Sequence, residues 1–325
     1  MKKLHVSSIQ NLEDMKNYIQ QFDLGEEGVI IKPNWTTGDY GFYTDAKLLD
    51  LVLSSIKGKK YIIESYMYGR CDGSIEINSD NGRDHWDYLK EQDAIYLKKT
   101  GLLEVLQKHN AEYINISEEF WSGRCVKAET IKLLVEKRFA PICHQEFYGV
   151  IPQKLFEKRH LPMISLAKIK YNVPKVSNFA TLSMKNMFGL IPLPNREKYH
   201  GADFDKGLSR SIVNILTVYA ALFRLIGINE GVYHMSVTRE PGKNTRKMIW
   251  TEYDVIENQG IILGSEDLVT LDGVTNIMIG LDPENRSVLK IGEEVFGRWD
   301  RKEAECITEA FKQVFMPYLQ IEELK

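Results

Sequence analysis

The segment at residues 28–34, Gly-Val-Ile-Ile-Lys-Pro-Asn, decides the fold class of this chain. Its continuous apolar run is typical of a strand buried on both faces. The strand ends at Pro33, because proline has no N–H to donate to a neighbouring strand. An amphipathic helix is predicted over residues 45–56, and residues 61–64 (YIIE) read as the next strand. This β–loop–α–β order predicts parallel strands joined by a right-handed crossover.

The same alternation continues along the chain and predicts an α/β protein. We expect a two-lobed molecule with largely parallel sheets, helices on both faces and a Rossmann-like N-terminal part. A polar region around residues 145–160 sets the expected division, with an N-terminal α/β lobe over 1–150 and a C-terminal α/β lobe over 151–325. Further helices are predicted at 93–109, 205–223, 267–279 and 300–319, and further strands at 113–114, 130–135, 162–166, 225–226 and 260–263.

Composition and charge narrow the class of protein. Of 325 residues, 43% are apolar and 27% are charged, which is ordinary for a globular chain. The net charge of −3 supplies no basic field, so we expect no nucleic-acid partner. The most apolar stretch, residues 212–228, is interrupted by Asn214 and Arg224, which favours a buried helix followed by a strand over a membrane span. We expect a cytoplasmic protein with no membrane partner, and its oligomeric state stays open.

The metal-binding residue types are dispersed in the sequence. Cys71, Cys125, Cys143 and Cys306 form no CxxC pair, and the seven histidines show no HxxxH spacing. Thiols of a reducing compartment are therefore expected, with no metal site. No sequence pattern identifies a cofactor.

Several apolar strands end in side chains that suit a ligand site. Lys32 and Asn34 follow the first strand, Glu64 ends the second, and Lys168 and Lys170 follow a later one. In open α/β sheets ligands bind beyond the carboxyl ends of the strands, so these residues are expected to converge. The alternative is that each is merely a solvated strand end.

The loop at residues 38–44 precedes the first long helix. Thr44 has the chemistry of a helix N-cap, and the free N–H groups at such a helix start can hold a phosphate or carboxylate. Neither the Walker pattern nor the dinucleotide glycine pattern is present. An ordinary capped turn explains the loop equally well.

Residues 181–190 (TLSMKNMFGL) place Lys185 and Asn186 inside an apolar stretch. A buried ammonium needs a partner, so Lys185 is expected to meet either an anionic ligand or a structural carboxylate, Glu64 or Asp272. After a proline-rich turn, His200 has the chemistry of a general acid or base or of a metal ligand. A capping or surface histidine is the alternative.

These blocks carry a family resemblance. The segments 29–34 (VIIKPN), 164–170 (ISLAKIK), 184–189 (MKNMFG) and 260–267 (GIILGSED) follow one another in the order found in the bacterial and archaeal family called domain of unknown function 362. The resemblance spans roughly residues 28–285. It implies a site without naming a reaction.

The chain also departs from that family's pattern. Relatives commonly follow the second lysine with Thr-His, whereas Lys170 is followed here by Tyr171 and Asn172. Many relatives carry ferredoxin-like cysteine clusters, which this sequence lacks. An internal iron–sulfur relay is therefore not expected.

Our leading hypothesis is an enzyme that acts on a small anionic substrate, phosphorylated or carboxylated, in a cleft. A redox protein served by a separate electron-transfer partner and a non-catalytic ligand-binding or assembly module are the alternatives. The candidate catalytic residues are Lys185, Glu64, His200 and Asp272, and the candidate ligand-binding residues are Lys32, Asn34, Thr44, Lys168, Lys170 and Asn186.

Overall fold

The computed structural model describes residues 3–173, 175, 177, 179–201 and 204–315. Strands and helices alternate through most of this range. The strands are β1 (Leu4–Ser8), β2 (Gly28–Lys32), β3 (Lys59–Glu64), β4 (Glu112–Asn115), β5 (Met163–Lys168), β6 (Lys170–Asn172), β7 (Ala180–Thr181), β8 (Leu225–Gly231), β9 (His234–Thr238), β10 (Arg246–Lys247), β11 (Glu252–Glu257) and β12 (Ile261–Ser265).

The helices lie mostly between strands that pair in the main sheet. They are α1 (Leu12–Ile19), α2 (Ala46–Ser54), α3 (Trp86–Lys99), α4 (Leu102–Lys108), α5 (Ile116–Trp121), α6 (Ala128–Glu136), α7 (Gln153–Phe156), α8 (Ser183–Asn186), α9 (Phe204–Leu222), α10 (Leu268–Met278), α11 (Ser287–Phe296) and α12 (Arg301–Phe315).

The main sheet has seven strands in the order β1-β12-β8-β5-β2-β3-β4. The five strands from β8 to β4 are mutually parallel, whereas β12 runs antiparallel to both β8 and β1. The prediction that residues 28–32, 60–64 and 162–167 share one parallel sheet is confirmed, because β2 lies between β3 and β5.

Helices cover both faces of this sheet, as predicted. Val29 and Ile31 pack in one apolar cluster with α1, α2 and α4. Ile30, which points to the opposite face, packs in a second cluster with α6, α9 and α10. The continuous apolar run of β2 is explained by this burial on both sides, since successive side chains of a strand point to opposite faces.

A second sheet stands beyond the carboxyl ends of two main-sheet strands. Its order is β10-β11-β9-β6-β7. The chain passes from β5 into β6 at Ile169, and it passes from β8 into β9 through a short turn. The parallel pairing of β5 with β8 is continued by parallel pairing of β6 with β9. The second sheet therefore covers one part of the strand ends where a ligand site was expected.

The division predicted at residue 150 does not coincide with a break in the main sheet. Strands β2, β3 and β4 from the first half pair in one sheet with β5 and β8 from the second half. The larger apolar cluster likewise combines Ile30 and Ile63 with residues of α9 and α10. Residues 145–160 are not a boundary between two sheets, because Phe147, Ile151 and Leu155 from this region are buried in the same apolar cluster.

Two sequence predictions of local structure were wrong. Residues 130–135, predicted as a strand, belong to helix α6, where Ile131 and Val135 are buried and Leu133 is exposed at helical spacing. The single helix predicted over 93–109 is two helices, α3 and α4, separated at Gly101, whose φ of +73° suits glycine. The helix predicted over 300–319 is present as α12, and residues 316–319 lie outside the described residues.

The apolar stretch over residues 212–228 forms the end of α9 and the start of β8, in agreement with the sequence prediction. Within the described residues, no helix has the length and apolar character needed to cross a membrane.

A buried ion pair joins β5 to β8. Lys168 and Glu230 are register partners of these parallel strands, and Lys168 Nζ lies 2.7 Å from Glu230 Oε1 with both side chains fully buried. Lys168 Nζ also donates to the His234 carbonyl oxygen at 3.2 Å. Burial raises the pKa of Glu230, and the attraction of Lys168 opposes that shift. The ammonium is therefore committed to a structural partner.

We predict that Lys168→Met destabilises the protein by about 3–5 kcal/mol, because it leaves the Glu230 carboxylate buried without its cation. The double variant Lys168→Met/Glu230→Gln is expected to regain most of that loss, since no isolated charge then remains. Urea denaturation of the three proteins measures the difference. Equal stability of the single and double variants would contradict this assignment.

Candidate functional site

A cavity of about 570 Å³ lies beyond the carboxyl ends of β2 and β3. Residues of β6, β7 and α8 form one wall, and the connection between β10 and β11 closes over it. The structure brings seven of the ten predicted site residues to this cavity: Lys32, Asn34, Glu64, Lys170, Lys185, Asn186 and His200. Thr44, Lys168 and Asp272 do not line it.

The floor of the cavity contains an ion pair between the ends of β2 and β3. Lys32 Nζ lies 2.8 Å from Glu64 Oε2, and the two side chains are 1% and 4% exposed. The carboxylate also accepts from the backbone N–H of Ser65 at 3.1 Å and of Trp35 at 3.3 Å. Burial lowers the pKa of Lys32, and Glu64 partly restores it. The charge of the Lys32 ammonium is thus neutralised by the Glu64 carboxylate.

Two asparagine amides are oriented by this floor. Asn186 Oδ1 accepts from Lys32 Nζ at 3.2 Å and from Asn34 Nδ2 at 3.0 Å. Asn186 Nδ2 donates to the Lys32 carbonyl oxygen at 3.0 Å and to Ser165 Oγ at 3.1 Å. With its nitrogen directed at Asn186, Asn34 presents its carbonyl oxygen to Lys170 at 2.6 Å. Each amide therefore has one orientation that satisfies the network.

Lys170 is buried among neutral acceptors. Its ammonium donates to Asn34 Oδ1, to the Phe42 carbonyl oxygen at 3.1 Å and to Thr36 Oγ1 at 3.4 Å, and it lies 4.3 Å from the centre of the Phe42 ring. No carboxylate of the described residues lies within 4 Å of it. Burial, followed by the repulsion of Lys185 and other lysines, lowers its pKa well below the usual value. An anion bound here would relieve this cost.

Lys185 has fewer contacts than the other two lysines. Its ammonium donates to Thr181 Oγ1 at 3.2 Å and lies 4.3 Å from the centre of the Phe179 ring. Burial, with repulsion from Arg286 as a smaller contribution, lowers the pKa of Lys185 to about 7. Among the residues that the structure describes, it pairs with no carboxylate. The alternative of a structural salt bridge to Glu64 or Asp272 was therefore wrong.

His200 reaches the cavity from the turn before α9. Its ring stacks on that of Phe188, with 6.1 Å between the centres. Burial lowers its pKa, and the nearby charge of Lys185 lowers it further. The imidazole is therefore neutral at pH 7 and can accept a proton.

Sequence reasoning missed Arg196, which also lines the cavity. Its guanidinium is buried and donates to the carbonyl oxygens of Gly189 at 2.9 Å and Ile191 at 3.0 Å. Burial lowers its pKa to about 10. In the sequence it follows Pro192, Pro194 and Asn195, a composition that predicts an exposed turn. Its position in the cavity wall is visible only from its tertiary contacts.

Three predicted site residues do not line the cavity but make structural contacts around it. Thr44 is not the N-cap of α2: Asp45 caps that helix by accepting from Leu48 N at 2.9 Å. Thr44 Oγ1 instead accepts from the N–H of Asn34 at 2.9 Å, which places that side chain. Lys168 is paired with Glu230, as described above.

Asp272, predicted to move protons, anchors the start of α8. Its carboxylate accepts from the backbone N–H groups of Ser183 at 3.0 Å and Met184 at 2.9 Å, and from Asn229 Nδ2 at 3.0 Å. Burial raises its pKa, and these hydrogen bonds oppose the shift. It therefore positions the helix that carries Lys185 and does not reach the cavity.

Gly189 is required by the close approach of its backbone to the ion pair. A Cβ at this position would lie 2.7 Å from Lys32 Nζ and 3.0 Å from Glu64 Oε1. At these distances the end of the Lys32 side chain would have to shift to admit a methyl group, and that shift would disturb its contact with Glu64.

Metal-binding side chains are not clustered within the described ranges: they contain no group of three His, Cys, Asp or Glu residues that could hold a metal ion. The four cysteines are free thiols, with Cys143 and Cys306 exposed.

The fold and the cavity together define an open α/β protein whose candidate site, which contains lysine and asparagine side chains, lies at the carboxyl ends of parallel strands. The chain belongs to the family described as Domain of unknown function (DUF362), whose model matches residues 29–275 of the 325. The match covers the cavity from Lys32 to His200. No curated protein and no solved structure matches the chain.

We predict that Gly189→Ala destabilises the protein by about 1–3 kcal/mol, because the added methyl group overpacks the Lys32–Glu64 pair. Gly149→Ala is the matched control, since its Cβ would meet Ala128 Cβ at an ordinary 3.9 Å. Chemical denaturation of both variants gives the comparison. If Gly189→Ala were as stable as Gly149→Ala, the backbone at Gly189 would not be tightly packed against the Lys32–Glu64 pair.

We predict that Lys185→Met raises the melting temperature of the ligand-free protein by roughly 2 °C at pH 6. The pKa of Lys185 is lowered in the folded protein to about 7, so the cost of its buried charge is fully present below pH 7. Between pH 7 and the pKa of Lys185 in the unfolded chain, this destabilising contribution decreases as pH rises. The difference in melting temperature between Lys185→Met and wild type therefore decreases as well.

Thermal melts of wild type, Lys185→Met and Lys132→Met at pH 6, 7.5 and 9 test this pH dependence. Lys132 lies on α6 with 48% of its side chain exposed, so its variant controls for the loss of a lysine. A large drop in melting temperature for Lys185→Met would instead make Lys185 a structural residue.

Proposed function

We propose that the protein is an enzyme that binds a small anionic substrate, phosphorylated or carboxylated, in the cavity beyond β2 and β3. The observation that carries the proposal is that Lys170 and Lys185 line one cavity without a carboxylate within 4 Å among the described residues. Lys170 is buried and Lys185 is half-buried. An ammonium removed from water without a counterion is costly, and a bound anion would supply the missing negative charge to both.

The three cavity lysines are proposed to have different roles. Lys32 pairs with Glu64 and donates a hydrogen bond to Asn186, so its proposed role is to position the side chains on the cavity floor. Lys170 and Lys185 are the groups proposed to contact the anion. Arg196 adds positive potential from a guanidinium that backbone carbonyls already orient.

The remaining walls favour a ligand larger than a bare anion. Aromatic side chains surround the cations, and a cavity of about 570 Å³ lies in the range of small-molecule sites. A substrate with an anionic group and an apolar or planar part fits this lining best. The aromatic members of the wall are Trp35, Phe42, Tyr68, Phe179, Phe188 and Trp250.

Proton transfer is assigned to His200. Its lowered pKa keeps the imidazole neutral near pH 7, and it faces the same cavity as Lys185. Glu64, the other predicted proton carrier in the cavity, is held by Lys32 and two backbone N–H groups, which suits an electrostatic role. The four free thiols support a cytoplasmic location for this chemistry.

We predict that inorganic phosphate binds the wild-type protein and that Lys170→Met and Lys185→Met each weaken binding by about 10- to 100-fold, the value of a charged hydrogen bond. Lys132→Met, on an exposed helix face, is expected to bind like wild type. Isothermal titration calorimetry at constant ionic strength measures the affinities, with circular dichroism to verify folding.

The affinity of wild type for phosphate should also fall as pH rises from 6 to 9. The pKa values of Lys170 and Lys185 are lowered in the empty cavity, so bound anion and bound protons favour each other. Phosphate, acetate and pyruvate are to be compared, because they separate phosphorylated from carboxylated substrates. Absence of binding by all three, or equal binding by the lysine variants, would overturn the anion site.

A further inference from the structure

Lys185 differs from the other two cavity lysines in how its nitrogen is engaged. Lys32 Nζ has three acceptors, which are the Pro33 carbonyl oxygen, Glu64 and Asn186. Lys170 Nζ also has three. Among the residues that the structure describes, Lys185 Nζ has a single hydrogen-bond acceptor, the hydroxyl of Thr181, and it also lies over the Phe179 ring. An ammonium has three N–H groups, so among these three lysines the Lys185 nitrogen has the most directions left for a substrate, counted over the described residues.

Lys185 is also reachable from two sides. A second cavity of about 490 Å³ shares Lys170, Lys185, Phe179 and Trp250 with the first. Lys185 thus lies in a wall between two open spaces, on the four-residue helix α8, whose first N–H groups donate to Asp272. A substrate in either cavity meets the same nitrogen.

The charges around this nitrogen favour its unprotonated form. Lys170 and Thr181 are cross-strand partners on β6 and β7, which brings the Lys170 side chain next to the Thr181 hydroxyl that Lys185 contacts. Burial and the charge of Arg286, which stands at the start of α11, lower the pKa of Lys185. A lysine that is desolvated beside other cations is a nucleophile at neutral pH, because its lone pair is free.

We propose that Lys185 forms an imine with a small anionic aldehyde or 2-oxo acid. This inference rests on the proposed function, since the anionic group of the substrate is the one that Lys170 holds. The Lys185 lone pair attacks the carbonyl carbon, and one proton passes from the nitrogen through His200 to the carbonyl oxygen to give a carbinolamine. The second nitrogen proton follows the same route, the hydroxyl leaves as water, and a C=N bond forms. One water is released and no oxidant or reductant is consumed.

The neighbouring groups suit both stages of this reaction. His200, neutral near pH 7, accepts the proton from nitrogen and returns it to the departing oxygen. The positive charge of Lys170 stabilises an adjacent carboxylate or phosphate and, with it, the carbinolamine oxygen. Phe179 covers the nitrogen on one side and limits access of water.

Reductive trapping tests the proposal. Wild-type protein is incubated with pyruvate or glyoxylate and sodium cyanoborohydride, and peptide mass spectrometry locates the reduced adduct. Lys185 is expected to be labelled at least about tenfold faster than the exposed Lys132. Each unit by which the pKa of a lysine is lowered increases its unprotonated, reactive fraction about tenfold at neutral pH. Labelling should rise with pH and reach half its plateau near the lowered pKa of Lys185, about 7.

Variants and competition complete the test. Lys185→Met and Lys185→Arg should show no adduct at this peptide, while Lys132→Met keeps the wild-type rate at Lys185. Inorganic phosphate should slow the labelling of the wild-type protein by about tenfold at saturation, since it occupies the anion position. Adducts spread over exposed lysines, or located on Lys170 in preference to Lys185, would overturn the proposal.

The two proposals fail in distinguishable ways. If calorimetry shows phosphate binding that depends on Lys170 but no adduct forms at Lys185, the imine is wrong and the anion site stands. If no anion binds, the proposed function fails whatever the labelling shows. An adduct at Lys185 that phosphate does not slow would contradict the placement of the substrate anion on Lys170.

Discussion

An ammonium and a carboxylate meet where the parallel strands β2 and β3 end, and the rest of the site is arranged around their contact. Lys32 and Glu64 lie 2.8 Å apart with almost no exposure. Such a pair is stable only when its remaining donors and acceptors are satisfied. Backbone groups and Asn186 satisfy them, and Gly189 lets the chain pass close enough to enclose the pair.

That enclosed pair has a consequence for the cations above it. Glu64 is committed to Lys32, so it cannot also neutralise Lys170 or Lys185. Lys170 is instead held by uncharged oxygen atoms, and Lys185 by a hydroxyl and a ring. The lowered pKa values of both lysines have the same cause, which is burial without a counterion. The cavity therefore carries an electrostatic cost that an anionic ligand would remove, and the large apolar clusters on both sheet faces supply the stability that tolerates it.

The rigid frame also explains why neighbouring lysines differ in role. Lys168 and Lys170 are two residues apart, yet the first pairs with Glu230 and the second enters the cavity. The chain leaves the main sheet between them, at Ile169, and joins the second sheet. This change of sheet, and not the residue type, separates a structural ion pair from a ligand-facing ammonium. Asp272 is likewise drawn to the helix start at Ser183 by the packing of α10 against α8.

The sequence by itself determined the α/β class and the parallel core of β2, β3 and β5. It also placed Lys32, Asn34 and Glu64 near one another. Buried strands and the residues that end them can be predicted from the local pattern of apolar and polar residues. The sequence also singled out Lys185, whose apolar neighbours imply burial. Only the tertiary structure decided which charges pair, since Lys168 and Glu230, or Arg196 and its carbonyl acceptors, meet through strand register and turn geometry. The helix at α6 shows the same limit: a short apolar run suits strand or helix equally, and the packing of Ile131 and Val135 selects the helix.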